Sequence, residues 1–219
     1  MAQQRKKIIN ILYGANGGGV DTVTNQYVKF KNNKFVSQLE IIKKEKGNIF
    51  KIINLWIKFF DNIVKQNPRI VVCHGHQSNF IFSIYNKIFF YKNLKKIIFI
   101  SVFHSEYFGY PNAYSFKASL FNYIYGFFLK FSDEVVTVSN FSKKTLFEKH
   151  SIQAKVIFNP IPKIFSQNKS KIKKKNNDVS LVAVSRFDPI KRIYFLIKII
   201  KNLKSKIPKI QLIIIGDGY

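Results

Sequence analysis

The fold is decided at residues 8–23, which read IINILYGANGGGVDTV. A short run that is apolar except for Asn10 leads into a glycine-rich turn, and a helical pattern with Asp21 in its first turn follows. A buried strand that passes through glycines into a helix is typical of the first βα unit of a parallel sheet. The acidic residue suits the positive end of the helix dipole. The segment therefore predicts an α/β fold.

The same alternation continues as far as residue 158. The longer runs between strands carry helical periodicity, most clearly over Ile49–Lys65, where apolar residues recur every three or four positions. Six parallel strands make one complete doubly wound domain, which we assign to residues 1–162. The predicted strands are Ile8–Tyr13, Phe35–Gln38, Ile70–Cys73, Ile97–Phe103, Glu134–Val138 and Val156–Phe158.

Composition changes after Asn159. Residues 163–178 are rich in lysine, which predicts a linker. The alternative is an arm that binds nucleic acid, but no aromatic residue interleaves the five lysines of Ser166–Asn177 for base stacking. The βα pattern restarts at residue 179, with strand Val179–Val184, helix Ile190–Lys204 and strand Ile210–Ile215. One βαβ unit cannot cover both faces of two apolar strands, so we expect residues 179–219 to be the incomplete start of a second domain.

Charge and cysteine content narrow the class of protein. The chain has 219 residues and a formal net charge of +26, and 47% of its residues are hydrophobic, which excludes a disordered basic tail. A single cysteine, Cys73, excludes a disulfide framework and a cysteine-rich zinc module. No membrane span or signal peptide is predicted, so we expect a cytoplasmic protein. The excess charge favours contact with anionic surfaces, whether lipid or nucleic acid.

The glycine turn is the first candidate site. Gly17, Gly18 and Gly19 lie where backbone N–H groups at a helix N-terminus can hold phosphate. A P-loop is excluded because Val20 and Asp21 follow in place of Lys and Ser or Thr, and no register gives the dinucleotide pattern G-x-G-x-x-G. Two interpretations of this glycine turn remain, a phosphate contact and an ordinary tight βα turn.

Two later strands end in histidine-bearing segments, Cys73–His76 and Phe103–Glu106. Open α/β sheets bind ligands at the carboxyl ends of their strands, so we predict that these residues line a polar cleft. The pair His74 and His76 suggests a metal as the alternative. No third ligand follows at a recognisable spacing and the chain has no Asp-x-Asp, so we predict no metal site.

A third candidate site follows the strand Val179–Val184. Residues 185–192 read SRFDPIKR, which places Arg186 and Lys191 beside the start of a helix. A forked guanidinium and a compact ammonium group near a helix N-terminus suit a diphosphate. The alternative is a solvated loop in a lysine-rich protein.

Taken in order, these segments resemble family 4 glycosyltransferases of the GT-B fold. The resemblance covers nearly the whole chain, although Ser185 and Pro162 stand where the family usually has Gly and Asp, and the family's Glu-x7-Glu segment would lie beyond residue 219. We therefore expect a truncated chain that is inactive alone. The matching segments are Gly17–Asp21, His74–His76, Phe103–Ser105, Val136–Ser139 with Lys143, Ile157–Pro160, Val184–Lys191 and Ile214–Gly218.

The resemblance implies two Rossmann-like domains and transfer of a sugar, with retention of configuration, from a UDP-sugar or GDP-sugar to a polysaccharide or glycolipid. No metal or other cofactor is implied. Carried over by position, Gly17 to Gly19 would approach the donor diphosphate, Arg186 and Lys191 would neutralise the leaving phosphate, and His104 would face the transferred sugar. Residues 1–162 would be the acceptor side and residues 179–219 the start of the donor-binding domain.

Two other functions remain as alternatives, a GT-B nucleotide-sugar epimerase and a basic nucleic-acid-binding protein. We expect no nucleic-acid partner. We expect the first domain to associate with the cytoplasmic face of an anionic membrane, partly through the aromatic-rich helix near Tyr114–Phe131.

Overall fold

A computed structural model of the protein describes residues 6–14, 18–29, 34–44, 47–89, 97–104, 116–161 and 179–218. The chain divides into two compact units, Met1–Phe165 and Ser166–Tyr219. The predicted linker at residues 163–178 and the predicted phosphate contact Gly17 lie outside the described residues. No helix in the described ranges has the length and apolar character needed to cross a bilayer.

The first unit is built on a parallel sheet of six strands in the order β2-β1-β3-β4-β5-β6. This architecture confirms the predicted α/β fold. The strands are β1 (Lys6–Tyr13), β2 (Phe35–Ile42), β3 (Ile70–His74), β4 (Ile98–Phe103), β5 (Glu134–Thr137) and β6 (Lys155–Val156). The described helices of this unit are α1 (Gly19–Lys29), α2 (Ile49–Lys65), α3 (His76–Phe89), α4 (Phe116–Leu129) and α5 (Asn140–His150).

The direction in which strands are added to the sheet reverses at β1: β2 pairs with one edge of β1, and the chain then crosses over to form β3 along its other edge. Right-handed crossovers consequently place α1 on one face of the sheet and the later helices on the opposite face. The later helices contact one another in sequence, α2 with α3, α3 with α4 and α4 with α5. The largest cluster of buried apolar residues lies beneath α2 and α3; it contains Ile9, Ile11, Ile42, Phe60, Ile63, Val71, Cys73, Ile81, Phe82, Tyr85 and Phe99.

Helix α2 has the bounds that its periodicity predicted. It begins after Asn48, whose side-chain oxygen accepts a hydrogen bond from the Phe50 N–H at 2.7 Å, a typical N-cap. It ends at Lys65 with Gln66 as its C-cap; Asn67 then takes a left-handed conformation and Pro68 follows. Phe60 and Ile63 on its inner face are fully buried, so the helix is held by its apolar stripe.

Each predicted strand differs from the observed one by at least one residue, and β2 and β6 differ most. Strand β2 continues past Gln38 to Ile42 because its second half pairs with Asn10–Tyr13 of β1. The last predicted strand, Val156–Phe158, is instead the two-residue β6, and Phe158 is largely exposed. The reason is that β6 has only β5 as a described partner and pairs with just two of its residues.

The second unit is a single βαβ unit in its described part. Its parallel strands are β7 (Ser180–Val184) and β8 (Gln211–Ile215), joined by a 3₁₀ turn (Pro189–Lys191) and helix α6 (Ile193–Leu203). The predicted helix Ile190–Lys204 begins later than expected because Arg192 takes a left-handed conformation, φ 50°, between the turn and α6. Apolar residues on both strands and on α6 are exposed, among them Val182, Val184, Ile197 and Ile215.

Candidate active site

The carboxyl ends of β1, β3 and β4 lie side by side at one edge of the first sheet. This is the point where the strand order reverses, and open α/β sheets leave a ligand crevice at such a point. Three of the predicted segments meet here: Gly18 and Gly19 begin α1 after β1, His74 ends β3, and His104 follows β4.

Polar side chains at this edge form a continuous hydrogen-bonded row. His74 is almost completely buried; its Nε2 lies 3.0 Å from Asn10 Oδ1 and its Nδ1 lies 3.3 Å from His104 Nε2. Asn10 in turn donates from Nδ2 to Ser37 Oγ at 2.8 Å and to the Gln38 carbonyl oxygen at 3.4 Å. The row therefore joins β2, β1, β3 and the end of β4.

Tyr27 of α1 covers this row from the helix side. Its ring stacks on the His74 ring at a centroid distance of 5.9 Å and an angle of 23° between the planes. Asn10 and His74 lie on the sheet face that α1 covers, whereas Ile9 and Cys73 point to the α2 and α3 side. Packing and hydrogen bonds together hold the His74 imidazole in one orientation.

Both histidines of the row are uncharged near neutral pH. Burial, with a smaller contribution from the neighbouring His104, lowers the pKa of His74 to about 3. Burial likewise lowers the pKa of His104 to about 4. His104 thus stands at the end of β4 as a neutral, half-buried imidazole that can donate one hydrogen bond and accept another.

The two histidines of the segment Cys73–His76 occupy different surroundings. His74 joins the polar row, whereas the His76 ring makes edge contacts with Phe103 at 4.8 Å and Tyr125 at 5.3 Å. In the ranges that the structure describes, no three His, Cys, Asp or Glu side chains group together as metal ligands. The prediction that the protein works without a metal stays a prediction.

Gly18 and Gly19 leave open space at the start of α1. A Cβ atom added to either would meet no described atom within 4 Å, and neither residue has a positive φ. Neither packing nor backbone strain therefore requires glycine here, and a ligand can approach the backbone closely. The Gly18 N–H already donates to Asp21 Oδ2 at 3.3 Å, so a phosphate at this turn would have to rely on the neighbouring amides.

The second unit holds Arg186 and Lys191 on one loop, between β7 and α6, and both side chains are exposed. Backbone hydrogen bonds on either side of Arg186 tie this loop to the segment after β8: Ser185 N donates to Ile215 O at 3.0 Å and Phe187 N to Asp217 O at 2.7 Å. A Cβ on Gly216 would lie 1.8 Å from Ser185 O, so this close contact requires glycine. These main-chain contacts hold the backbone at Arg186 in place.

The predicted residues fall into two groups. The first unit brings His104 to the same sheet edge as the Gly18–Gly19 turn, and the second unit places Arg186 and Lys191 on a shared loop. Sequence reasoning missed Asn10 and Tyr27 as members of the site. The available signal was Asn10 itself, an amide in the middle of an otherwise apolar strand, since a buried polar group needs a partner.

The fold is shared with solved structures of low sequence identity. A lipopolysaccharide outer core galactosyltransferase, WaaB, aligns with a TM-score of 0.61 at 17% identity, covering 97% of this chain and 61% of that one. Anabaena HepE, solved in complex with UDP and glucose, aligns with a TM-score of 0.61 at 15% identity over 98% of this chain and 62% of that one. A UDP-N-acetylglucosamine 2-epimerase aligns with a TM-score of 0.54 at 12% identity over 95% and 63% of the two chains.

These similarities confirm the GT-B type of Rossmann-like fold. The chain spans about three fifths of the length of these three solved structures. No protein-family model matches the sequence, and neither does any protein of curated function.

The buried histidines predict that acid weakens the first unit. Because the folded pKa values of His74 and His104 lie below the ordinary value near 6.5, the unfolded chain binds protons that the folded chain does not. The free energy of unfolding should therefore fall as pH drops from about 6.5 towards 4, by up to about 1.4 kcal/mol per pH unit for each histidine. Trp56 fluorescence in urea titrations at several pH values measures this slope.

The matched variant is His74→Gln, which removes one of the two titrating groups. Its slope should be lower by about one proton, while His150, whose pKa is also lowered by burial and by Lys149 and Lys130, contributes equally to both proteins. Equal slopes in the two proteins would contradict the assignment of a buried, neutral His74.

Proposed function

We propose that this chain belongs to a retaining glycosyltransferase, which moves a sugar from a UDP-sugar or GDP-sugar to a polysaccharide or glycolipid. The observation that carries the proposal is the neutral His104 at the reversal point of a sheet whose fold is shared with glycosyltransferases. The unobstructed backbone at Gly18 and Gly19 supports it, since it leaves room for a donor beside the same sheet edge.

The chemistry that such a site must perform is the departure of a nucleoside diphosphate. Negative charge grows on the leaving phosphate, so fixed cations and backbone amides are the main source of rate enhancement. Arg186 and Lys191 would supply those cations, the first as a fork and the second as a point charge. No protein nucleophile, metal or other cofactor is needed in this proposal.

His104 would act on the sugar rather than on the nucleotide. Its imidazole is neutral, so it recognises a hydroxyl group by a hydrogen bond and adds no charge that would hold the departing diphosphate. A contact of this kind raises turnover if it strengthens as charge develops on the sugar.

A second candidate is a nucleotide-sugar epimerase, because an epimerase is among the proteins that share this fold. The two functions differ in what happens to the donor. An epimerase changes the sugar of the donor with no acceptor present, whereas a transferase releases the nucleoside diphosphate only as an acceptor becomes glycosylated. Proton NMR of a UDP-sugar or GDP-sugar, incubated with and without acceptor, separates them.

We further propose that the protein works on the cytoplasmic face of an anionic membrane. Neighbouring helices α4 and α5 expose aromatic residues, Tyr123 and Phe127 on the first and Phe141 and Phe147 on the second. Exposed lysines on and beside these helices, including Lys130 and Lys143, add positive charge to the surface. Aromatic side chains and lysines together suit an anionic lipid interface.

The donor assignment predicts that Arg186→Ala and Lys191→Ala each weaken binding of the better of UDP and GDP by roughly 5- to 150-fold, the range for one charge-assisted hydrogen bond. Isothermal titration calorimetry measures the affinities. Lys201→Ala is the matched control, because it removes an exposed lysine of the same unit from α6. Equal losses in all three variants would indicate general electrostatics and would overturn the assignment.

The sugar assignment predicts a selective effect of His104→Ala. Affinity for UDP or GDP alone should stay unchanged, while the additional affinity of the corresponding nucleotide sugar should fall about fivefold, the value of one ordinary hydrogen bond. Both are measured by calorimetry on the same preparation. Loss of nucleotide affinity would move His104 to the diphosphate, and no change in either would leave it outside the donor site.

The membrane proposal predicts co-sedimentation with vesicles that contain phosphatidylserine but not with neutral phosphatidylcholine vesicles, and release at high salt, since lysines contribute about 1 kcal/mol each near an anionic surface. The double variant Tyr123→Ser with Phe127→Ser should bind less. Phe50→Ser, on α2, removes an equally exposed aromatic residue as the control. Equal binding of all three proteins would contradict docking through α4.

A further inference from the structure

The polar row at the sheet edge has a direction, and the Gln38 carbonyl oxygen sets it. A carbonyl oxygen only accepts, so the Asn10 side-chain group that faces it at 3.4 Å must be the amide NH₂. The amide oxygen of Asn10 then faces His74 Nε2 at 3.0 Å. With the amide reversed, the Asn10 oxygen and the Gln38 carbonyl oxygen, both acceptors, would face each other.

The same reasoning fixes the proton on each imidazole. An amide oxygen cannot donate, so His74 Nε2 carries the hydrogen. A neutral imidazole has one N–H, so His74 Nδ1 accepts, and the His104 Nε2 that lies 3.3 Å away must donate to it. His104 Nδ1 is left with its lone pair, and it makes no hydrogen bond within the described part of the chain.

Burial makes this direction robust. Asn10 and His74 are 3% and 2% exposed, and Tyr27 stacks on the His74 ring. Water therefore has little access to take over the role of Asn10 or to supply His74 with an alternative partner. The charged forms, which would donate from both nitrogens and erase the direction, are disfavoured by the same burial.

We propose that Asn10 and His74 are positioning residues that hold His104 as the Nε2–H tautomer, so that its Nδ1 lone pair accepts a hydrogen bond from a hydroxyl group of the bound sugar. The role of the lone pair rests on the proposed function; the fixed tautomer does not. A site built to accept from a hydroxyl discriminates against a donor sugar that lacks that hydroxyl, because the lone pair would then stay unpaired.

The test is the protonation state of each ring nitrogen in the full ¹⁵N-labelled chain, read from long-range ¹H–¹⁵N correlation spectra at neutral pH. The wild-type protein should show His74 and His104 both protonated at Nε2 and not at Nδ1. A protonated Nδ1 on either residue overturns the proposal, and this measurement needs no variant.

Asn10→Leu removes the acceptor while it keeps a similar volume in an apolar strand. Without that acceptor, the His74 tautomer that donates from Nδ1 to His104 Nε2 becomes more favourable relative to the Nε2–H tautomer. The fraction of His104 protonated at Nδ1 should therefore rise about five- to tenfold, the value of one hydrogen bond. Ser37→Ala is the matched control: it shortens the same row, but Gln38 O still orients Asn10, so the His104 tautomer should stay as in the wild type.

Calorimetry on the same variants connects the tautomer to binding. In Asn10→Leu, the factor by which the sugar raises nucleotide-sugar affinity should fall about fivefold, while affinity for UDP or GDP alone stays unchanged. In Ser37→Ala, both affinities should stay as in the wild type. An unchanged His104 tautomer in a folded Asn10→Leu protein overturns the positioning role. A shifted tautomer in a protein that binds neither UDP, GDP nor their sugars would instead overturn the proposed function and leave the tautomer assignment standing.

Discussion

The parallel pairing of β1 with β2 on one side and β3 on the other is the constraint on which the first unit depends. The chain passes from β1 to β2 on one side and then crosses over to β3 on the other. Among the described helices of this unit, α1 therefore lies on one face of the sheet and the later helices pack on the opposite face. In open α/β sheets such a reversal is where a ligand crevice forms at the carboxyl edge, and here Asn10 and His74 lie on the face that α1 covers. The apolar core lies beneath α2 and α3, so the polar row does not interrupt it.

Charge is distributed unevenly between the surface and the site. The chain carries a formal charge of +26, yet the two histidines at the carboxyl edge of the sheet are held neutral by burial. The cost of burying a protonated imidazole is what keeps them so, and it also preserves the direction of their hydrogen bonds. An uncharged imidazole recognises hydroxyl groups, whereas the exposed Arg186 and Lys191 of the second unit suit phosphate. In the proposed function, these groups would recognise different parts of a nucleotide sugar.

The glycines of the two units differ in how closely other residues approach them. Gly216 lets the segment after β8 approach the Ser185 backbone so closely that no side chain would fit, and it thereby anchors the loop of Arg186. Within the described residues, a Cβ atom added to Gly18 or Gly19 would meet nothing within 4 Å, so no described contact requires glycine there. The proposed donor contact at the first turn would account for these two glycines, whereas the described packing does not.

The sequence alone predicted the order of the strands along the chain and the bounds of α2, Ile49–Lys65, because apolar runs and a 3.6-residue period are local properties. It also brought His104 to the correct sheet edge, since carboxyl ends of parallel strands share one side. Only the tertiary structure decided that His74 joins Asn10 and His104 while His76 turns to Phe103 and Tyr125. Asn10 lies 64 positions from His74 in the chain, and nothing local couples them; their contact exists because the register of β1 against β3 places both beneath α1.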